Sequence, residues 1–535
     1  MVQGRGYALV CLVAVCGTYC LAWKPNSPMD TENGKHTLLL HTPNTSESCE
    51  RRVKVSSMDL WSASLDDVLA GLPIDPVREN YVRRVKDCIF SRVYPTPFIS
   101  EVQLVAVSEF GVWAGQLGDG RAHLISTYIN RYGERWELQL KGSGKTPYSR
   151  NGDGRAVLRS SVREFLCSEA MHYLGIPTSR AASLVVSNDA IWRDQFYNRN
   201  VKKERGAVVL RVAKSWFRFG SLEVLTNSGE FYLLRKLVDF IIKEHFLSIS
   251  PADPNKVLVF FSKVVSQTAD MIAQWMSVGF AHGVCNTDNF SLLSITIDYG
   301  PFGFMENYDA DYVPNTSDDE GRYKIGAQAN VGMFNLNKLL LALKPLMDNR
   351  QEQLALKILS DFPNLYYQRF TELYRAKLGL LGASEEDLTL IASFLNLMED
   401  TKADFTMSFR QLSEITRWQL ESVTIPQEHW ALSSISQHME FPAWVSAYLL
   451  RLKSNPDDSD SGRRERMTAT NPRYVLRNWM AESAVRKAEK NDFSEVRQLQ
   501  NVLRKPFQTQ KMAELAGYAQ KAPGWAKDLK VSCSS

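Results

Sequence analysis

The chain has 535 residues, enough for about two to four domain-sized units with a large buried core. Apolar residues make up 44% and charged residues 23%, ordinary for a folded soluble protein, and 63 basic against 59 acidic residues leave a net charge of +4. So small an excess excludes the basic footprint of a nucleic-acid binder, and runs such as Arg463-Arg464-Glu465-Arg466 are interrupted by acids. None of the eight cysteines forms a C-x-x-C pair, which excludes a zinc ribbon and a thioredoxin-like motif.

In chain order, residues 1–50 combine a leader with a polar segment that is expected to be disordered. The apolar run Tyr7–Trp23 follows a lone Arg5 and has the character of a secretory h-region. It is too short for a confident membrane span, and no later segment is uninterruptedly apolar over 18 residues, so the mature chain is expected to carry no stable membrane span. Residues 51–230 form a strand-rich, nucleotide-binding region. Within it Trp136–Leu140 alternates apolar and polar residues, as a half-buried strand does, and Ala207–Val212 is β-branched and apolar. Between them a helix is predicted at 160–174, with its apolar positions on one face. Residues 231–452 read as a helical catalytic region interrupted by a strand-like Leu292–Asp298. A polar linker or loop is expected at 453–472, then a helical tail over 473–535 ending near Cys533, on a mobile terminus.

Glycines 111, 115, 118 and 120 precede a strand, where backbone N–H groups can approach phosphate oxygens; alone they also fit an ordinary turn. Gly144-Lys145-Thr146 suggests a Walker A loop, but Gln139 stands where that loop needs glycine, so a P-loop NTPase is set aside. Lys141 instead ends a strand after a glycine-rich loop, where a protein kinase places its phosphate-binding lysine, and Glu164 on the next helix is a candidate ion-pair partner. Ser161-x-x-Glu164 equally fits a capping box at the helix start.

His282 and Asn289 keep the offset of a kinase catalytic loop, and Asp298-Tyr299-Gly300 stands in for the Asp-Phe-Gly motif. Asn289 and Asp298 offer hard oxygen ligands suited to Mg²⁺ on a triphosphate. The position of the kinase base holds Val284, which cannot accept a proton, while Asp288 supplies a carboxylate beside Asn289. Arg211 and Arg218 suit phosphate oxygens, or else cover surface aromatics.

The strings Trp113–Ala122, Lys141–Arg150, Gly152–Ser161, His282–Asn289 and Thr296–Phe304, with the Cys533-Ser534-Ser535 terminus, resemble the selenoprotein O family over about residues 55–535. The resemblance implies an α+β, protein-kinase-like two-lobed fold over about 55–450 with a helical C-terminal extension. It implies a pseudokinase that binds ATP inverted and transfers AMP to Ser, Thr or Tyr hydroxyls of protein substrates, with Mg²⁺ or Mn²⁺. Gly118, Gly120, Arg121, Lys141, Asp153, Gly154, Arg211, Arg218 and Asp298 would then contact the nucleotide, Asn289 and Asp298 the metal. Glu164 would orient Lys141, and Asp288 would accept the proton.

Cys533 would stand where some relatives carry selenocysteine, making it a redox candidate. The resemblance implies the mitochondrion; the apolar leader favours secretion. An ordinary kinase and a nucleotide-binding pseudoenzyme serving as a redox-linked scaffold are the rival readings. Two departures stand out: a stretch before Trp113 shorter than in relatives, and Phe334 in place of a tryptophan expected in the core.

Overall fold

The computed structural model describes residues 69, 71–91, 93–107, 120–130, 133–149 and 152–532. Helix accounts for 46% and strand for 15% of the chain, so the fold is α+β. Cys533, Gly118, the leader and residues 108–113 of the shortened stretch before Trp113 lie outside the described residues.

A two-residue parallel pair, β1 (Ile74–Asp75) and β2 (Phe90–Ser91), precedes the main sheet. The sheet is wholly antiparallel and built from β3 (Val102–Val107), β4 (Ala122–Ile129), β5 (Arg135–Lys141), β6 (Ala156–Val157), β7 (Arg180–Asp194) and β8 (Val201–Ala213). Its order is β3-β7-β8-β5-β4, with β6 added on β8. The chain thus passes from one outer strand to the other between β3 and β4.

Trp136–Leu140 forms the strand its alternation predicts, but both faces are covered. Glu137 and Gln139 are as buried as Leu138 and Leu140, because helices cap one side and a small cluster of Leu138, Ala182 and Val212 closes the other. Odd positions of β5 therefore carry buried polar groups toward the helices, ending at Lys141.

Helix α1 (Leu158–Tyr173) lies on β7 and β8 and holds no glycine or proline. It begins two residues before the predicted start, with Val157 as an N-cap that makes no side-chain bond. Ser161 and Glu164 thus sit inside the first turns, and the capping-box expectation fails. Gly175, in the left-handed region at φ 81°, closes the helix by donating to His172.

The remaining described helices are α2 (Phe219–Asn227), α3 (Phe231–His245), α4 (Lys256–Ser277), α5 (Gln328–Leu343), α6 (Asn349–Ser360), α7 (Phe362–Lys377), α8 (Asp387–Asp400) and α9 (Phe405–Glu414). They continue through α10 (Arg417–Glu421), α11 (Trp430–Ser436), α12 (Phe441–Lys453), α13 (Asp460–Thr470), α14 (Asn478–Glu489), α15 (Ser494–Leu503) and α16 (Lys511–Leu515). Helix α4 buries a broad apolar face, from Val257 to Trp275, packs with α5, α6 and α7, and keeps a polar stripe of Lys263, Gln267, Asp270 and Gln274. No helix among the described residues is long and apolar enough to cross a membrane.

Three expectations are corrected here. The stretch 453–472 is not a continuous loop: it contains α13, capped by Ser459 and anchored by Arg463, whose guanidinium is fully buried and bonded to Asp460, Tyr448 and backbone carbonyls. A polar composition concealed it, since its inward face is an arginine rather than a hydrophobe. Leu292–Asp298 forms no strand; Ser294 at φ 50° breaks the extension, leaving isolated bridges from Thr296 to Phe290 and Thr178. Phe334 is not in the core but 45% exposed on α5, flanked by Arg322 and Lys338.

The core is continuous from the sheet through α1 and α4 to the tail. Leu124, Phe165 and Val209 share it with Trp479, Leu499 and Tyr518. Helices α14 and α15 pack directly on α1. The C-terminus is docked rather than mobile up to Ser532: Val531 accepts from Thr316, and Ser532 donates to the Gln195 carbonyl.

Candidate nucleotide site

The site begins with a register. Gln139 on β5 pairs opposite Arg211 on β8, and Lys141 lies two residues further along the same face. Cross-strand partners point to the same side, so three polar side chains converge under α1. The helix presents Glu164 to them. Its Oε2 accepts from Lys141 Nζ and its Oε1 from Arg211 Nη1 at 2.9 Å. Gln139 Oε1 accepts from Arg211 Nη2, and the Arg211 guanidinium lies 4.5 Å above the Trp216 ring.

Asp298 completes the group. Its Oδ1 accepts from Lys141 Nζ and, at 3.1 Å, from Arg211 Nη1. Arg211 and Glu164 are sealed at 1% and 3% side-chain exposure, whereas Asp298 keeps 21%. Its backbone is left-handed, at φ 65°, a conformation costing on the order of 1 kcal/mol that aspartate tolerates better than most residues. Burial alone would push its carboxyl up, but Lys141 and Arg211, with Arg218 and Arg121 further off, hold it well below the usual carboxylate range.

Strand-like pairing of 217–219 with 290–292 carries Arg218 to the loop 282–289. Phe219 N–H donates to Phe290, Leu292 N–H to Phe217, and Arg218 bridges to Ser291. A single 3₁₀ turn, Thr287–Asn289, is fixed by Asn286, whose side chain accepts from the Asp288 N–H at 3.1 Å. Asn289 Nδ2 donates to Val284 O at 2.9 Å, which assigns the amide orientation and leaves its Oδ1 for other partners.

His282 is buried and bonds through Nε2 to Ile297 O at 2.9 Å, tying this loop to the residue before Asp298. Burial lowers its basicity, the Ile297 carbonyl opposing. It is a strut between the two motifs.

Arg121 and Gly120 flank the end of β5, where Gly142 N–H donates to Arg121 O at 2.7 Å and Ser149 donates to Gly120 O. Asp153 is turned elsewhere: it accepts two bonds from Arg193, at 2.7 and 2.8 Å, and one from the Arg155 N–H. Burial would raise its carboxyl, and the Arg193 bonds lower it. Gly154 is left-handed at φ 72°, and its carbonyl accepts from Gly144 N–H at 3.0 Å, where a side chain would collide with the Gly144 backbone.

The structure therefore brings Lys141, Glu164, Arg211 and Asp298 into contact, with Arg121 and Arg218 within electrostatic reach; Asp153 belongs to a separate pair. Sequence reasoning missed Gln139 as a partner, although its spacing of two from Lys141 on one strand was the available signal. It also missed Arg163, which donates to Phe302 O at 2.7 Å and Asn478 Oδ1 at 3.0 Å, joining α1 and α14 to the segment after Asp298. Burial brings Arg163 down to about 10.

Lys141, Arg211, Arg218 and Arg121 gather four cationic side chains around Asp298, donors suited to a polyphosphate. For a divalent cation, the donors available are the ionised Asp298 carboxylate and the Asn289 amide oxygen. Among the described residues no cluster of three or more His, Cys, Asp and Glu exists. Two hard oxygens fit an ion that takes its other ligands from water and phosphate, as Mg²⁺ does.

Comparison with known proteins identifies the family. Residues 87–504 match the family model "Protein adenylyltransferase SelO". The chain is 40% identical to a protein nucleotidyltransferase YdiU of Azoarcus over 87% of its own length and 98% of the relative's. It is 44% identical to proteins of that name from Xanthomonas campestris and Xanthomonas axonopodis, over 80% of its length and 83% of theirs. The chain belongs to the SelO family of protein adenylyltransferases, enzymes for which ATP is the substrate and proteins are the acceptors.

Proposed function

We propose that the chain transfers AMP from ATP to Ser, Thr or Tyr hydroxyls of proteins, in a kinase-like two-lobed arrangement. Residues 51–230 would form the small lobe, 231–452 the catalytic lobe and 473–535 a covering tail. The observation that carries this is the Lys141–Glu164–Arg211–Asp298 network, locked on three sides and open at Asp298.

Lys141, Arg211, Arg218 and Arg121 hold the phosphates and the charge that develops on the leaving pyrophosphate. Gly120 and Gly154 keep the backbone close at the edge of the site; Gly118 and Asp153 are assigned to the nucleotide on resemblance alone. The acceptor oxygen attacks the α-phosphorus, its proton passes to the Asp288 carboxylate, and the bond to the β-phosphate oxygen breaks. Asn289 and Asp298 would hold Mg²⁺, which supplies charge neutralisation to the phosphates when bound.

Glu164 fixes the Lys141 ammonium, so its role is positional. The lack of a proton acceptor at Val284 disfavours ordinary phosphoryl transfer. We place a redox-responsive role at Cys533, one residue beyond the docked Ser532, and the protein in the mitochondrion; organelle fractionation of the tagged chain would decide against secretion.

The test is incubation of folded protein and a generic acceptor with Mg²⁺ and α- or γ-labelled ATP, beside Asp298→Ala. Transfer of α label alone, lost in the variant, is the expected result. Transfer of γ label alone restores a kinase, and transfer of neither from folded protein favours a scaffold.

A further inference from the structure

Gly220 is a glycine in the first turn of α2, a position where alanine is the better helix former. Its backbone is not left-handed, so conformation does not demand glycine there. Space does. A Cβ at this position would overlap Asp288 Oδ1 and stand 3.3 Å from Asp288 Cγ, with the Thr287 carbonyl oxygen at an ordinary 3.6 Å. The residue itself is buried, while Asp288 is exposed.

The backbone beneath Asp288 is fixed. Its N–H is held by Asn286 Oδ1, the Asn289 N–H by Asn286 O, and the following Phe290 carbonyl by the Phe219 N–H at 2.9 Å. That last bond links α2 to the loop directly beside the contact. A side chain at 220 could therefore be accommodated only by turning the Asp288 carboxylate away.

We propose that Gly220 is a positioning residue: its missing side chain seats the Asp288 carboxylate where the acceptor hydroxyl's proton is taken. The inference rests on the role given to Asp288 above. Gly220 is given no contact with substrate or nucleotide in this reading, and it acts through Asp288.

The test compares the parent, Gly220→Ala, Asp288→Ala and the double variant, following transfer from α-labelled ATP to a generic protein acceptor. Gly220→Ala is expected to lower kcat roughly 10- to 100-fold, at or below the roughly 10²- to 10⁴-fold for loss of a general base because the carboxylate is displaced rather than removed, with KM for ATP changed less than about twofold. Its thermal midpoint should equal or exceed the parent's. In the Asp288→Ala background the same substitution should change kcat less than about twofold, since the group it displaces is gone.

Full kcat for Gly220→Ala beside an inactive Asp288→Ala overturns the inference and leaves the Asp288 role standing. A fully active Asp288→Ala overturns both. Independent, multiplicative losses in the double variant also overturn it. Should Gly220→Ala unfold the chain, the double variant must fold again; if it does not, the crowding is not with Asp288 and the inference is wrong.

Discussion

Two of the buried ion-pair clusters among the described residues differ in their backbone and in the charges around them. At the candidate site Lys141, Arg211, Glu164 and Asp298 form a group of two cations and two anions that reaches solvent through Asp298. Between α14 and α9, Arg477 bonds Glu306 and Asp404, with its own guanidinium and Asp404 almost wholly enclosed and Glu306 still partly open to solvent. Burial would lower the Arg477 pKa, but Asp404 and Glu306 raise it above the usual arginine range, while burial pushes Glu306 up despite Arg477. Asp404 also caps α9 by accepting from Met407 N–H, so this cluster terminates and joins elements. Buried charge pairs alone do not mark a functional site. What sets the candidate site apart is a carboxylate on a left-handed backbone, facing Lys141 and three arginines.

The sharpest way to break the comparison is at its structural half. Arg477→Ala leaves the buried Asp404 and the partly exposed Glu306 without their cation and should cost roughly 3–5 kcal/mol of stability. Chemical denaturation would reveal it as a lower midpoint. Substituting Asp298→Asn should do the reverse, reducing AMP transfer at least about 100-fold while moving the denaturation midpoint less than Arg477→Ala does. Equal stability losses in the two variants would erase the distinction.

A third test uses Glu137, buried on β5 beside the site, where it accepts from the Trp216 N–H at 3.1 Å. Burial raises its carboxyl to about 7, only partly opposed by Arg135. Between the ordinary carboxylate pKa and 7 the native state holds a proton that the unfolded chain has released, so stability falls as pH rises through that window. Glu137→Gln should therefore gain on the parent as pH goes from 5 to 8, by up to about 3 kcal/mol. A pH-independent difference between the two proteins would contradict the shift.

The smallest effect is expected at Asn478→Ala, which removes one of Arg163's two bonds and should cost about 1 kcal/mol. Because Arg163 also holds the Phe302 carbonyl, kcat should fall slightly with it; an unchanged kcat would detach α14 from the site.

Much of this site was legible in the chain itself. Spacing alone singles out Lys141, Asn289 and Asp298, since strand end, loop and turn are local features that short motifs encode. On sequence Glu164 fits capping and pairing equally. Sequence alone does not choose, because the choice depends on where α1 begins, and Val157 rather than Ser161 is its N-cap. What stayed hidden is what long-range packing decides. Gln139 and Arg211 meet through sheet register, and Arg163 meets Asn478 across 315 positions. Helix α13 escaped because an arginine, Arg463, fills its core position. Phe334 misled for the opposite reason: an aromatic residue suggested burial, while its helix turns it outward.

Helices α14 and α15 press on α1, the helix that carries Glu164. Roughly 330 residues separate the end of α1 from the end of α15, so on the ribosome α1 waits for its cover. At roughly 5–20 residues per second, synthesis leaves that apolar face unmatched for about 15 to 70 seconds. The catalytic framework can then close only as the last part of the chain emerges, and a nascent chain stalled before α14 would present chaperones with an unfinished core rather than a shortened enzyme.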